Sequence, residues 1–335
     1  MPVRDLSAYI DDALFSLTRQ FRDPKDLEVV LVDDGSADDT VEIAESYQNR
    51  LANLQIMRNA ESVGAATARN QGLTEIHGRF VMFMDGDDWL VPGHLERVAD
   101  ALAAAGCPMA RHDLVRVEGT KRQVVRAPQA VRNQVLDPRA SIMPADRQTM
   151  VDHPFPPAGM FDRALHEDGL LSFSDGLQTA TDRPWVWRLH LAVPSYTVVN
   201  ESGYCYRRGV ATSLTQIYDE RRLDFVRAFA EVREMLADDS DGARFLPKLV
   251  RTVLAITAYH MTFAEHMSES LYDGLVRRSS ELLATFDPTV VREQVVNSSP
   301  ERHQLLIDVL RTDALAPALR GSGVSLTEAT TGSSS

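Results

Sequence analysis

Leu6, Tyr9, Ile10, Leu14, Leu17 and Phe21 recur at the three- and four-residue intervals of one helix face, and the β-branched run at residues 28–32 follows them. The alternation continues with a helix over about residues 39–50, a strand over 54–57, a helix over 64–76 and a strand over 80–84. A further helix is read over residues 92–105, opened by Pro92 and stopped by Gly106. Strands and helices taken in turn predict an α/β domain of doubly wound type, with a mostly parallel sheet, helices on both faces and ligands beyond the carboxyl ends of the strands. Past Met109 the pattern blurs into β-like runs at residues 113–117 and 123–125, a stiff proline-rich loop at 153–157, and a short helix and turn over 160–171. From about Glu220 onward Leu223, Phe225, Val226, Phe229, Val232 and Met235 form one stripe, which predicts a helical C-terminal region.

One element is missing from this pattern. A doubly wound domain opens with an apolar strand in mid-sheet, yet here the first helix follows only Met1-Pro2-Val3-Arg4-Asp5. Five buried aliphatic side chains, at roughly 1.5–3 kcal/mol each, contribute about 8–15 kcal/mol, comparable to the stability of a whole domain. The expectation is therefore a truncated first strand and a reading frame that starts upstream of Met1.

Two acidic turns stand at strand ends. Asp33-Asp34-Gly35-Ser36 follows the run at 28–32, and Asp85-Gly86-Asp87-Asp88 follows the run at 80–84. Carboxylates so close repel one another and resist burial unless a cation neutralises them. Mg²⁺ or Mn²⁺ suits that role, taking one or two carboxylates together with phosphate oxygens and water. A turn at Gly86-Asp87 or a helix cap at Asp88 is the plain structural alternative.

Composition narrows the partners. A net charge of −13 over 335 residues argues against non-specific nucleic-acid binding and against attraction to anionic lipid. Cys107 and Cys205 provide neither a disulfide framework nor metal-type spacing, so a reducing cytoplasm is the expected location, with the inner face of the membrane left open for peripheral contact. No stretch reads as a transmembrane segment: the most apolar, residues 249–263, is interrupted by Arg251, Thr252, Thr257 and His260. The glycine fingerprints of dinucleotide-binding and P-loop proteins are absent, and the Asp33 turn does not fit an EF-hand register.

Taken in order, Asp33-Asp34-Gly35-Ser36-Ala37-Asp38-Asp39-Thr40, Asn59, Val63-Gly64, Ala68-Arg69-Asn70-Gln71-Gly72 and Asp85-Gly86-Asp87-Asp88 resemble the successive motifs of family 2 glycosyltransferases of the GT-A fold. The resemblance extends over residues 2–216, and its later part is similar to bacterial enzymes that glycosylate wall teichoic acid. Pro2-Val3-Arg4-Asp5 falls where the family has a proline-aromatic-asparagine turn, from which Arg4 and Asp5 depart.

The resemblance implies roles. Asp87 would bind the metal, with Asp85 at the ribose or the metal's hydration shell and Asp88 as a helper; Asp34 would lie near the base with Asp33 beside it, and Arg69 on the nucleotide or its phosphate, a structural salt bridge being the alternative for Arg69. Gly35 and Gly64 would let the backbone approach the ligand. Asp182, in Thr179-Ala180-Thr181-Asp182-Arg183-Pro184-Trp185, takes the position of the base that deprotonates an acceptor hydroxyl, although a helix N-cap ahead of Pro184 is its structural counterpart. Trp185 and Trp187, two apart on a helix, face different ways, so at least one belongs to the core. Arg207 and Arg208, with Ser213-Leu214-Thr215 after them, resemble a loop that folds over the donor diphosphate. No histidine lies between His190 and His260 to assist.

These readings predict a GT-A catalytic domain over residues 1–218, with a nucleotide-sugar half to about 106 and an acceptor half from 107, then helices over 219–322 and a disordered tail over 323–335. The implied activity is inverting, metal-dependent transfer from a nucleotide sugar, UDP-linked, to a hydroxyl of a cell-surface glycan or polyol-phosphate polymer. For the C-terminal helices, acceptor docking and self-association into a homo-oligomer are the two expectations. A non-catalytic nucleotide-binding or assembly protein, and a GT-A-like nucleotidyltransferase, stand as alternatives.

Overall fold

In the computed structural model residues 1–209 and 218–319 are described; Ser213, Leu214, Thr215 and the tail expected over 323–335 lie outside them. The chain divides into two compact units, Met1–Ser141 with Thr149–Gln216, and Ile142–Gln148 with Ile217–Ser335.

The first unit runs β1 (Pro2–Val3), α1 (Ile10–Leu17), β2 (Glu28–Asp33), α2 (Thr40–Glu45), β3 (Asn53–Arg58), α3 (Ala65–Leu73), β4 (Phe80–Val81), β5 (Trp89–Leu90) and α4 (His94–Ala105). It continues with β6 (Met109–Arg111), β7 (Leu114–Glu118), β8 (Lys121–Val125), β9 (Val135–Leu136), β10 (Gly159–Asp162), α5 (Ala164–Glu167), α6 (Asp182–Ala192), β11 (Tyr196–Val198) and β12 (Tyr204–Arg207). Its strands make three sheets, ordered β1-β2-β3, all parallel, then β4-β10-β6-β11-β9 and β5-β12-β7-β8. The stripe read from the sequence is the buried face of α1: Leu6, Ile10, Leu14 and Leu17 pack with Val29, Leu31, Met84, Leu90 and Leu102. α4 ends where Gly106 turns left-handed, as its place in the sequence predicts.

Three expected elements differ. The chain at 160–171 is not helical from its start: residues 159–162 form β10, hydrogen-bonded to β4 and β6 on its two sides, and only Ala164–Glu167 is helix. Pairing on both edges outweighs local pattern there. α2 closes at Glu45, well short of residue 50. The strand expected over 80–84 has ladder partners only at Phe80 and Val81. A cavity of about 640 Å³, lined by both β2 and residues 79–84, lies on its other side. The first strand comprises Pro2 and Val3, opposite Val32 and Asp33.

In the second unit α7 (Asp224–Asp238), α8 (Gly242–Met261), α9 (Glu269–Ala284) and α10 (Pro288–Val296) bury Leu223, Phe225, Phe229, Val232, Phe245, Leu249, Val253, Leu275 and Val291. Of the predicted stripe only Met235 is merely half-buried, Leu236 taking the core position beside it. Residues 142–148 pack with these helices through Lys248, whose Nζ donates to the Arg147 carbonyl at 2.7 Å, and Arg251, which donates to Asp146. Among the described residues no helix is long and apolar enough to cross a membrane.

The first unit buries a group of imidazoles. His94 and His112 meet edge to face at 4.7 Å, and the His153 ring contacts the His112 carbonyl at 3.2 Å. Burial lowers their basicity, His94 and His190 to about 4 and His153 to about 3, from an ordinary 6.5. The unfolded chain therefore gains protons first as pH falls, and stability that is complete above about 6.5 is lost toward 4. The urea midpoint should fall steadily from pH 6.5 to 4.5. His94→Leu should flatten that slope, because it removes one imidazole whose protonation the folded chain resists.

Candidate active site

β2 delivers Asp33 and Asp34 to the edge of the sheet, both buried. Asp33 accepts from the Ser36 N–H at 3.0 Å and lies 3.8 Å from Arg58. Asp34 organises the loop before α3: its carboxylate accepts from Val63 N–H at 2.7 Å, Gly64 N–H at 2.9 Å, Ser62 Oγ at 2.6 Å and Asn59 Nδ2 at 3.2 Å. Burial pushes its pKa up, but these donors outweigh burial and hold it below the usual carboxylate range. Gly35 is needed for its φ of +78°, where a Cβ would stand 3.4 Å from the Glu61 backbone.

The second acidic turn meets the first across the end of β1. The Asp34 N–H donates to the Val3 carbonyl at 2.8 Å, and a Cβ on Gly86 would fall 2.6 Å from the Val3 side chain. Only glycine lets the turn lie so close. Asp5, after β1, is left-handed (φ 50°), a conformation asparagine and aspartate tolerate best. It accepts from Ala37 N–H at 2.8 Å and thereby ties β1 to the loop after Asp34.

Within the second turn the three carboxylates have different surroundings. Asp85 is paired with Arg69 of α3 at 2.5 Å. Asp87 is raised to about 6, by burial first and then by the charge of Asp85, with Arg207 and Arg69 pulling the other way. Asp88 is wholly buried: Tyr204 Oη donates to it at 2.5 Å and Arg207 N–H at 2.7 Å, and burial with its two acidic neighbours drives its pKa well above the ordinary value. Tyr204 also accepts the Asp85 N–H at 3.2 Å, so β12 grips the turn at two points.

Arg207 is fully engaged with protein groups. Nε donates to the Asp87 carbonyl at 2.7 Å, a terminal nitrogen bonds Asp12 of α1 at 2.8 Å, and the guanidinium stacks 4.6 Å from the Trp89 ring centre. Arg208 is half-buried and leans on Tyr206 at 3.4 Å. Asp182 is the first residue of α6, and its carboxyl accepts from backbone N–H groups of this first turn, whereas Thr181, the cap residue before it, makes no side-chain capping hydrogen bond. Ala180, two residues earlier, holds the left-handed φ of 55°. Burial raises the pKa of Asp182, while Arg183 and Arg69 lower it. Trp185 and Trp187 are both fully buried, and Trp185 stacks on Phe173, so both belong to the core.

Arg69 thus binds Asp85 directly and acts electrostatically on both Asp87 and Asp182. Val3 thus lies between Asp33 and Asp34 on one side and Gly86 of the second turn on the other, with Arg207 bonded to the backbone of that turn; Asp182 is related to it through the charge of Arg69. Tyr204 as the clamp of Asp88, and Asp12 as the partner of Arg207, were not foreseen: 116 and 195 residues separate those pairs, and no local pattern links them.

Comparison with known proteins bears on the family and the fold. The family model described as glycosyl transferase family 2 matches residues 1–169. The poly(ribitol-phosphate) β-N-acetylglucosaminyltransferase TarS of Staphylococcus aureus is 27% identical over 234 residues, 69% of this chain and 39% of TarS. EpsJ of Bacillus subtilis, an uncharacterized glycosyltransferase, is 26% identical, covering 65% of this chain and 62% of its own. The chain therefore spans about two fifths of TarS and three fifths of EpsJ. The crystal structure of TarS 1–349 in complex with UDP-GlcNAc superposes with a TM-score of 0.72 at 19% identity, over 95% of this chain and 88% of that one, which establishes a shared GT-A fold. On the motif order, the fold and the family match, the chain belongs to glycosyl transferase family 2.

Proposed function

We propose that this chain moves a sugar from a nucleotide sugar, UDP-linked, to a hydroxyl of a cell-surface glycan or polyol-phosphate polymer with inversion at the anomeric carbon. The observation that carries the proposal is the position of Arg69, ion-paired to Asp85 and acting on both Asp87 and Asp182. The shared influence of Arg69 supports reading Asp85 and Asp87 as the donor side of one site and Asp182 as its base. The names of the relatives support the substrate class: TarS acts on poly(ribitol-phosphate) and has been crystallised with UDP-GlcNAc.

The residues suit a hard divalent cation. Asp85 and Asp87 provide oxygen donors, and the raised pKa of Asp87 marks a carboxylate short of positive charge. Among the described residues no cluster of three or more His, Cys, Asp and Glu could hold a metal, which leaves other coordination positions to diphosphate and water. Mg²⁺ or Mn²⁺, when bound, would supply charge to the leaving diphosphate.

The chain's own groups would do the rest. Asp34 fixes the loop at 59–64 around the nucleotide crevice, and Tyr204 with Asp88 holds the acidic turn in register. Asp182, its pKa raised by burial, is a better proton acceptor than an ordinary surface carboxylate. Inversion follows from a single such base acting on a hydroxyl that attacks the face opposite the leaving diphosphate.

UDP release from UDP-GlcNAc with Mn²⁺, measured with and without polyol-phosphate acceptors, tests the assignment directly. Asp87→Asn should lower the rate by about 10²–10³-fold with the far-UV spectrum unchanged; no turnover with any sugar nucleotide in either protein would favour a binding role instead. Asp182→Asn should abolish transfer while calorimetry shows donor affinity within about twofold of the parent, since it removes an interaction made only in the transition state. Because Asp87 protonates near 6, Mn²⁺ affinity should be constant above about pH 7 and decline as pH falls through 6.

A further inference from the structure

Asn70 follows Arg69 on α3, and its side chain reaches one residue far away in sequence. Nδ2 donates to the Phe173 carbonyl at 2.9 Å, and Oδ1 accepts from the Phe173 N–H at 2.8 Å. The amide thus pairs with the backbone of residue 173 as a neighbouring strand would, with one donor and one acceptor. An ionised aspartate lacks the donor, and an aliphatic side chain lacks both.

The residues just before Phe173 are held by a different helix, α6. Trp185 Nε1 donates to the Leu171 carbonyl at 3.0 Å, and Arg188 donates to the carbonyls of Leu170 and Ser172. The segment 170–173 is therefore bonded both to the helix that Asp182 opens and to the helix that carries Arg69. The Phe173 ring repeats the link. It stacks on Trp185 at 5.5 Å with the planes 2° apart, the Arg69 guanidinium lies 5.3 Å from its centre, and Phe83, just before Met84 and Asp85, meets it edge-on at 5.2 Å. Phe173 is buried, so water does not compete for these contacts.

We propose, on the reading of Asp182 as the acceptor base, that Asn70 is a positioning residue for sugar transfer: acting through the backbone and ring of Phe173, it fixes α6, and with it the Asp182 carboxyl, against Arg69 and the acidic turn. The bonds of the Asn70 side chain go to Phe173, so its effect on the reaction passes through the segment 170–173. A base displaced by about 1 Å from the reacting atoms can cost roughly 10²-fold in rate. Donor binding, which draws on the acidic turns, is left intact by such a displacement.

The test compares the parent with Asn70→Ala, Phe173→Leu and Asp182→Asn, using UDP-GlcNAc, saturating Mn²⁺ and a polyol-phosphate acceptor, and reads kcat, its pH profile and donor affinity by calorimetry. Asn70→Ala should lower kcat about 10- to 10²-fold with donor affinity within about twofold of the parent. Water reaching a loosened Asp182 relieves the burial that raises its pKa, while Arg183 and Arg69 act to lower it, so the acid limb of kcat should move to lower pH. Phe173→Leu keeps the backbone pair and removes the ring that meets Arg69 and Trp185; it should show the same split at smaller amplitude, and it decides the matter if Asn70→Ala does not fold. Parental kcat and pH profile in either folded variant would overturn the proposal. So would losses of kcat and donor affinity that only track a fall in folded fraction, with the profile unmoved, because a merely structural staple behaves that way. Asp182→Asn separates the two possible failures. If it keeps the parental kcat, or if the parent has no turnover, the reading of the base falls and the role of Asn70 with it; an inactive Asp182→Asn beside a fully active Asn70→Ala overturns the role of Asn70 alone.

Discussion

Bringing several carboxylates to adjoining strand ends costs free energy through mutual repulsion and lost hydration, and the fold meets that cost with few positive groups. Arg69, in the middle of α3, is the foremost of them. Its 2.5 Å contact with Asp85 and its pull on Asp87 and Asp182 join acidic groups from two distant stretches of chain. Asp34 escapes the same problem by another route, four hydrogen-bond donors in place of a counter-charge. Everything else around the site serves to hold these two solutions side by side: Val3 between the turns, Gly86 without a side chain, Asp5 in the left-handed conformation.

The strongly periodic parts of the chain were legible in advance. α1 and α4 declare their buried faces by spacing, and β2 by its run of valine and leucine, so the first hundred residues could be ordered without coordinates. The acidic turns were legible for the same reason, as polar punctuation after apolar strands. What the letters did not carry is pairing between remote segments. Residues 160–162 look helical until the edges of β4 and β6 are known, and residues 82–84 look like strand although the ladder with β10 stops at Val81.

The same limit applies to individual side chains. Nothing local separates Trp185 from Trp187, and a pair on opposite helix faces suggests one exposed ring; both are buried because α6 is packed all round. Arg207 is expected from the resemblance in a loop over a donor diphosphate, yet it ends β12, and Asp12, Trp89 and the Asp87 carbonyl contact its guanidinium.

The three carboxylates of the D-G-D-D quartet are held in three different ways. Asp88 is enclosed by the Tyr204 hydroxyl and the Arg207 N–H, and Asp85 is paired with a guanidinium, whereas Asp87 draws only on the more distant charges of Arg207 and Arg69. One divalent ion arriving there would overcompensate, and the surplus positive charge would be available to whatever polyanion accompanies it.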